Sequence, residues 1–229
     1  MEKDIKDYRE KELKAFVFGN ILLFLMGTGL ISNILQSLEI NNIWKAIAEM
    51  FSSAVLSAAI YIFVFIFDAI IPGRIKDKIV WPIADLPGNR IFINIRQHNK
   101  DERFTTRRAV NVYSDLYQQL DTEKDKKRCA KIQNEFWYML YQKYEKQAQV
   151  YISQRDFLLC RDMTAMMLWI FGGDVLLCLY LGNGMSSYKL WFILVAEFFI
   201  VWIAARVKGE RFVYNVIAKD LSRNGAENG

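Results

Sequence analysis

Four apolar stretches, separated by strongly basic ones, limit what this chain can fold into more than any other feature. They run Ala15–Gln36, Ile47–Ile71, Met163–Gly182 and Leu190–Ala205. Three of them approach or exceed the ~20 residues that a helix needs to cross the hydrocarbon core of a bilayer. The fourth is shorter, but Tyr188, Lys189 and Arg206 extend it with side chains that can snorkel to an interface. The chain is 53% hydrophobic, and the gathering of those residues into blocks argues against an ordinary soluble domain.

The basic residues give an orientation. Lys and Arg number five in residues 1–14, eighteen in 73–162 and five in 206–229, while the short connections hold only Lys45 and Lys189. Because basic loops are retained on the cytoplasmic side, both termini and the long middle segment are expected in the cytoplasm. The expected class is an all-α membrane protein with four transmembrane helices arranged as two hairpins. A cytoplasmic N-terminal segment (1–14) precedes hairpin 1 (15–71). A mainly helical cytoplasmic insert (72–162) leads to hairpin 2 (163–206), and a C-terminal helix and tail (207–229) follow. Trp44 and Trp191 at the outer ends, with Trp81 and Trp202 towards the inner side, fit an interfacial aromatic belt. The first block follows Lys11 and Lys14 but is too long for a signal-peptide core and has no small-residue cleavage site after it, so it is read as an uncleaved span.

Within the insert, Pro72, Pro82 and Pro87-Gly88 prevent a long helix before Arg90. The run from Arg90 to Ile95 alternates weakly, as a single strand or an apolar stretch against the membrane would. From Phe104 apolar residues recur at three- and four-residue spacing through Leu120, and a turn and cap follow at Asp121 and Thr122. No Pro or Gly then occurs before Gly172, which predicts one helix running from the insert into the third span.

Two carboxylates, Asp174 and Glu197, interrupt the third and fourth blocks. Each lies 11.5 residues from the centre of the Asn183–Tyr188 connection, so antiparallel helices would bring them to one depth near the bilayer centre. No Lys or Arg lies within the apolar interiors to neutralise them. Two neighbouring carboxylates in low dielectric cannot both ionise cheaply, which implies a shared proton or a bound cation. Intramembrane acids of this kind line ion pathways or gates, or else lock helices together by hydrogen bonding. Gly172-Gly173 beside Asp174 leaves the backbone open to close approach.

Weaker candidates accompany this pair. Ser53, Ser57, Tyr61 and Asp68 fall near one face of the second block, as a pathway lining or a packing stripe, with Asp68 able to pair with Arg74 or Lys76. Asn20 in the first block reads as packing. The insert carries eighteen basic and twelve acidic residues, an excess that beside a membrane attracts anionic lipid headgroups. Arg103, Arg107 and Arg108, with Tyr113, are the candidates for an anionic ligand such as a nucleotide; nucleic acid is disfavoured. His98 is the one histidine and has no Cys or His neighbour at ligand spacing, and three scattered cysteines make no disulfide framework, so no metal or other cofactor is expected. No phosphate-binding loop, dinucleotide fingerprint or nucleophile elbow occurs, and an enzymatic role is disfavoured.

Spanning hairpins around a basic helical insert, with the stretches Pro72-Gly-Arg-Ile-Lys-Asp-Lys78 and Leu86-Pro-Gly-Asn-Arg90 after the second span, resemble the small multi-span membrane effectors of bacterial antiphage immunity. The resemblance implies a homo-oligomer in which a cytoplasmic protein or nucleotide signal triggers opening and the membrane is then depolarised. The alternative is a non-conducting anchor or sensor whose insert recruits a cytoplasmic partner.

Overall fold

The computed structural model describes residues 5–39, 43–83, 85–181 and 188–224. They form ten α-helices, and no strand occurs among the described residues. These are α1 (Ile5–Gly27), α2 (Leu30–Glu39), α3 (Ile43–Ile70), α4 (Gly73–Val80), α5 (Ile91–His98), α6 (Thr106–Val112), α7 (Ser114–Thr122), α8 (Lys126–Tyr144), α9 (Ala148–Leu181) and α10 (Tyr188–Asn224). The weakly alternating run after Arg90 is therefore helical. In α5 it buries Ile91, Phe92 and Ile95, a helical spacing rather than the period of two that a strand requires.

Two helices, α3 and α10, are long and apolar enough to cross a membrane, or three spans if α1 and α2 count as one bent span. In the first of the four expected spans the helix is broken, where α1 and α2 meet at 63°. The cause is local. Gly29 adopts φ +76°, a conformation that favours glycine, and the Thr28 hydroxyl donates to the Phe24 carbonyl at 2.9 Å, satisfying an acceptor that the end of α1 leaves open. The third block lies in α9, which does not pass the same test over its described residues. The side chains of 177, 178, 180 and 181 and the connection at 183–187 lie outside the described residues.

The chain divides into two compact units, Met1–Val80 with Leu159–Ala204, and Trp81–Leu158 with Ala205–Gly229. In the first, Val17, Ile21 and Phe24 of α1 form a core with Val64 of α3, Met166, Met167 and Ile170 of α9, and Leu190 and Leu194 of α10. Only 11% of the apolar window of α3 and 17% of that of α10 is buried. Phe51, Ile62, Phe192 and Ile200 stand on the surface, an apolar expanse that only lipid or other protein can cover.

The second unit has an aromatic core in which Phe92, Tyr113 and Phe136 meet edge to face with ring centroids 5.3–5.6 Å apart. Phe212, Val213, Ile217 and Leu221 of α10 complete it, so the C-terminal segment belongs to the same core as the insert. Buried Asp220 accepts hydrogen bonds from the hydroxyls of Tyr113 at 2.8 Å and Tyr144 at 2.9 Å, with the Lys143 ammonium 3.3 Å away. These contacts help explain why the single helix expected from Thr122 to Gly172 is two. Tyr144 and Val150 are both drawn into this core, and the chain turns at 145–147 with the Gln147 N–H donating to the Tyr144 carbonyl. The start of α8 is capped by Asp125, which accepts from the Lys127 N–H at 3.0 Å, rather than by Asp121 or Thr122.

Gly209 does not weaken α10, which runs through it. A Cβ there would lie 2.5 Å from the ring of Trp81, itself buried against Phe157 rather than placed in an aromatic belt. Ala intrinsically favours a helix over Gly by about 1 kcal/mol, yet Gly209→Ala is expected to lower stability by about 1–3 kcal/mol because a rigid buried ring must move. Thermal unfolding of the full chain in detergent checks this, and an unchanged or raised midpoint would refute the close-packing role. Burial, and then the charge of Asp220, pushes the Tyr113 hydroxyl well above its ordinary range, and burial pushes Tyr117 up to about 12. The native state thus keeps protons that the unfolded chain releases above about pH 10, so stability is full below that pH and falls as pH rises. Tyr113→Phe should flatten that alkaline slope in unfolding measurements; an unaltered slope would remove Tyr113 as its source.

Candidate functional site

Asp174 is buried on α9, and the Trp191 indole N–H of α10 donates to its Oδ2. Glu197 is half-buried on α10 and takes a different partner, the Asn20 amide of α1, whose Nδ2 donates to Oε1 at 3.1 Å and also to the Phe16 carbonyl at 3.1 Å. The two acids thus occupy the same unit but are held by separate donors. Trp191 precedes Glu197 by six residues, roughly 9 Å along a helix axis, and is a partner that symmetry about the connection does not point to. A buried carboxylate requires a hydrogen-bond donor, and here an indole and an amide supply it. Gly172 and Gly173 have no neighbour within 4 Å of where a Cβ would stand, so no helix is seated against them within the described chain.

Asn20 and Asp174, from α1 and α9, line a common cavity of about 290 Å³, walled otherwise by apolar residues including Phe24, Ile60, Val64 and Trp169. The stripe on α3 does not contribute to it. Ser57 donates to the carbonyl of Ser53 at 2.7 Å, within its own helix, and Tyr61 packs its ring 4.7 Å from Phe65. Asp68 lies 2.6 Å from the Lys76 ammonium. Lys76 is buried, and its ammonium is 3.5 Å from Asp162 as well. Arg161 joins the same group, 3.1 Å from Asp162 and 3.2 Å from Asp77. The Asp68–Lys76 pair is one of the two expected from the sequence; its extension through Asp162, Arg161 and Asp77 is what the sequence reading missed, and the signal was the Arg161-Asp162 pair immediately before the third block.

In the second unit, Arg103, Arg107 and Arg108 do not converge on an open anion site. Arg103 is bound to Asp101, Arg108 donates to the Leu221 carbonyl, Arg107 is exposed, and Tyr113 is committed to Asp220 in the core. Burial opposes ionisation of Asp101, but the Arg103 side chain and backbone N–H outweigh it and hold the carboxyl below its ordinary range. The cleft beside Arg103 is lined by four cations (Lys100, Arg103, Lys208, Arg211) and four carboxylates (Asp101, Glu102, Asp156, Glu210). That balance offers little net attraction to phosphate. Among the described residues no three His, Cys, Asp or Glu side chains gather as a metal site.

No protein-family model matches the chain, no curated protein matches it, and no solved structure matches it. The fold and the buried acids therefore define the class by themselves: an all-helical protein with two, or up to three, helices able to span a membrane. Removing one partner of a buried ion network leaves an uncompensated charge, at a cost of roughly 3–5 kcal/mol. Lys76→Met is expected to destabilise the chain by about that much in thermal or denaturant unfolding in detergent micelles. A loss near zero would show the network to be incidental.

Proposed function

We propose that this chain is an inner-membrane protein with both termini in the cytoplasm, whose four apolar blocks cross the bilayer and assemble as a homo-oligomer that forms or gates a cation or proton pathway. Asp174 and Glu197 act as its ionisable groups, and the cytoplasmic unit receives a protein or nucleotide signal. A membrane-disrupting effector of bacterial antiphage defence is the setting that the sequence resemblance suggests. The observation that carries the reading is Asp174, 3% exposed within an apolar stretch of α9 and lining a mostly apolar cavity there. An acid in such a place is costly, and ion or proton movement is the common reason for one. The mostly unburied α3 and α10 supply apolar faces that a bilayer and further copies of the chain would cover.

A specific observation favours a second reading, a non-conducting anchor or sensor. Each acid already accepts a hydrogen bond from another helix, Asp174 from Trp191 and Glu197 from Asn20, as polar groups that merely lock helices together do. The doubly neutral variant Asp174→Asn with Glu197→Gln separates the two. Under the pathway reading it inserts and assembles normally but loses at least tenfold of the ion flux measured in liposomes. Under the anchor reading flux is absent from the wild type, and the substitution lowers thermal stability or changes oligomer size.

A further inference from the structure

The bend between α1 and α2 lies at a definable depth. Leu190 of α10 packs on Gly27, its Cδ2 2.8 Å from where a Cβ would stand, and Asn20 of α1 donates to Glu197 of α10. Gly27 follows Asn20 by the same number of residues that Leu190 precedes Glu197, so α1 and α10 run antiparallel in one register. Gly27 is therefore level with the start of α10. There exposed Tyr188, with Lys189 and Trp191 beside it, is the kind of group that collects at a membrane interface. The length of α1 agrees. Its rise to Gly27 is about 24 Å from Lys11 and about 20 Å from Lys14, against a hydrocarbon core of ~30 Å. With these lysines at the near boundary, the bend falls about 6–10 Å inside the far one. That is close to the depth at which an interfacial helix buries its apolar face.

The side chains of α2 are sorted to suit this level. At about 100° per residue, Leu30, Ile31, Ile34, Leu35 and Leu38 occupy one side of the helix, and Ser32, Asn33, Gln36 and Ser37 the other. One edge packs on α3, where buried Ser37 donates to Glu49 at 3.0 Å. The outward surface is divided. Leu35 and Leu38 are 56% and 49% exposed on one flank, and Asn33 and Gln36 are exposed on the opposite one. Neither amide has a hydrogen-bond partner among the described residues. An unpaired amide is unfavourable in hydrocarbon, and bared leucines are unfavourable in water. Both flanks are satisfied together only where lipid meets water. Because α2 contains no Lys or Arg, attraction to anionic headgroups plays no part.

We propose that α2 is an interfacial helix seated in the leaflet at which α10 begins, with Leu35 and Leu38 among the acyl chains and Asn33 and Gln36 in water. α1 alone carries the first block across the bilayer. The inference rests on the reading that these helices cross a membrane and is independent of ion conduction. Its test uses the full chain in phosphatidylcholine nanodiscs, with Cys129, Cys160 and Cys178 replaced by Ala. Spin labels are placed one at a time through Asn33→Cys, Leu35→Cys, Gln36→Cys and Leu38→Cys. Collision with oxygen and with a water-soluble nickel chelate then gives the depth of each.

Labels at 35 and 38 are expected about 5–10 Å below the headgroup level and exposed to oxygen, while those at 33 and 36 meet the chelate. All four positions are exposed, so the elution volume should not change; a variant that elutes differently is replaced by Ile31→Cys or Ser32→Cys on the same flank. Ile62→Cys, on the exposed surface of α3, reports on spanning itself. With that label shielded from the chelate, oxygen exposure at all four α2 positions would overturn the proposal in favour of a helix sunk in the core. Chelate access at all four would overturn it in favour of a helix clear of the bilayer. Protection of 35 and 38 from both reagents would overturn it in favour of a second copy covering that flank. Chelate access at Ile62→Cys would remove the spanning reading, and this one with it.

Discussion

The first unit depends on neutralising charge where the chain is otherwise apolar, and Lys76 is the group on which this rests. Its ammonium lies within 3.5 Å of both Asp68 and Asp162, and Arg161 ties Asp162 to Asp77. Three carboxylates and two cations from α3, α4 and α9 are thereby drawn into one network. Charges placed this deep gain little net stability as pairs, but each is strongly unfavourable alone. The network therefore fixes which ends of these helices meet, because any other arrangement strands a charge. Apolar contacts among Val64, Met166, Ile170 and Leu194 have no such directional demand and could be met in several registers.

The same rule governs the acids further along α9 and α10. Asp174 and Glu197 need donors, and an indole and an amide are among those they find. That choice makes Asn20 the most consequential residue of the first helix: its amide N–H groups hold both Glu197 and the Phe16 carbonyl. In the second unit Asp220 plays the comparable part, gathering two tyrosine hydroxyls and a lysine from helices that are remote in sequence.

Much of the secondary structure was legible from local patterning. The apolar blocks mark where α3 and α10 run, Pro72 and Pro82 mark where α3 and α4 stop, and the three- and four-residue spacing after Phe104 marks α6 and α7. The failures have physical causes that are not local. The bend at Gly29 followed from a backbone conformation inside an apolar run, where hydropathy reports only composition. The break at 145–147 contains no Pro or Gly; Tyr144 and Val150 on either side of it are held in one core. Gly209, intrinsically a poor helix residue, leaves the space in α10 that Trp81 occupies. The candidate acids were visible as charges in apolar surroundings, but equal distance from a connection could not reveal their partners, since an indole reaches across more than a turn of helix.

By itself the sequence determined the helical class, the apolar blocks able to enter a membrane, the basic excess of the insert and the presence of buried acids. These follow from composition and periodicity, which act along the chain. Only the tertiary structure decided that Trp191 and Asn20 hold those acids, that Lys76 sits between Asp68 and Asp162, and that Asn20 and Trp169 each leave one polar atom unsatisfied. A buried polar group is stabilised by whichever donor or acceptor folding brings within about 3 Å. That partner is set by packing between distant segments, and no local pattern encodes it.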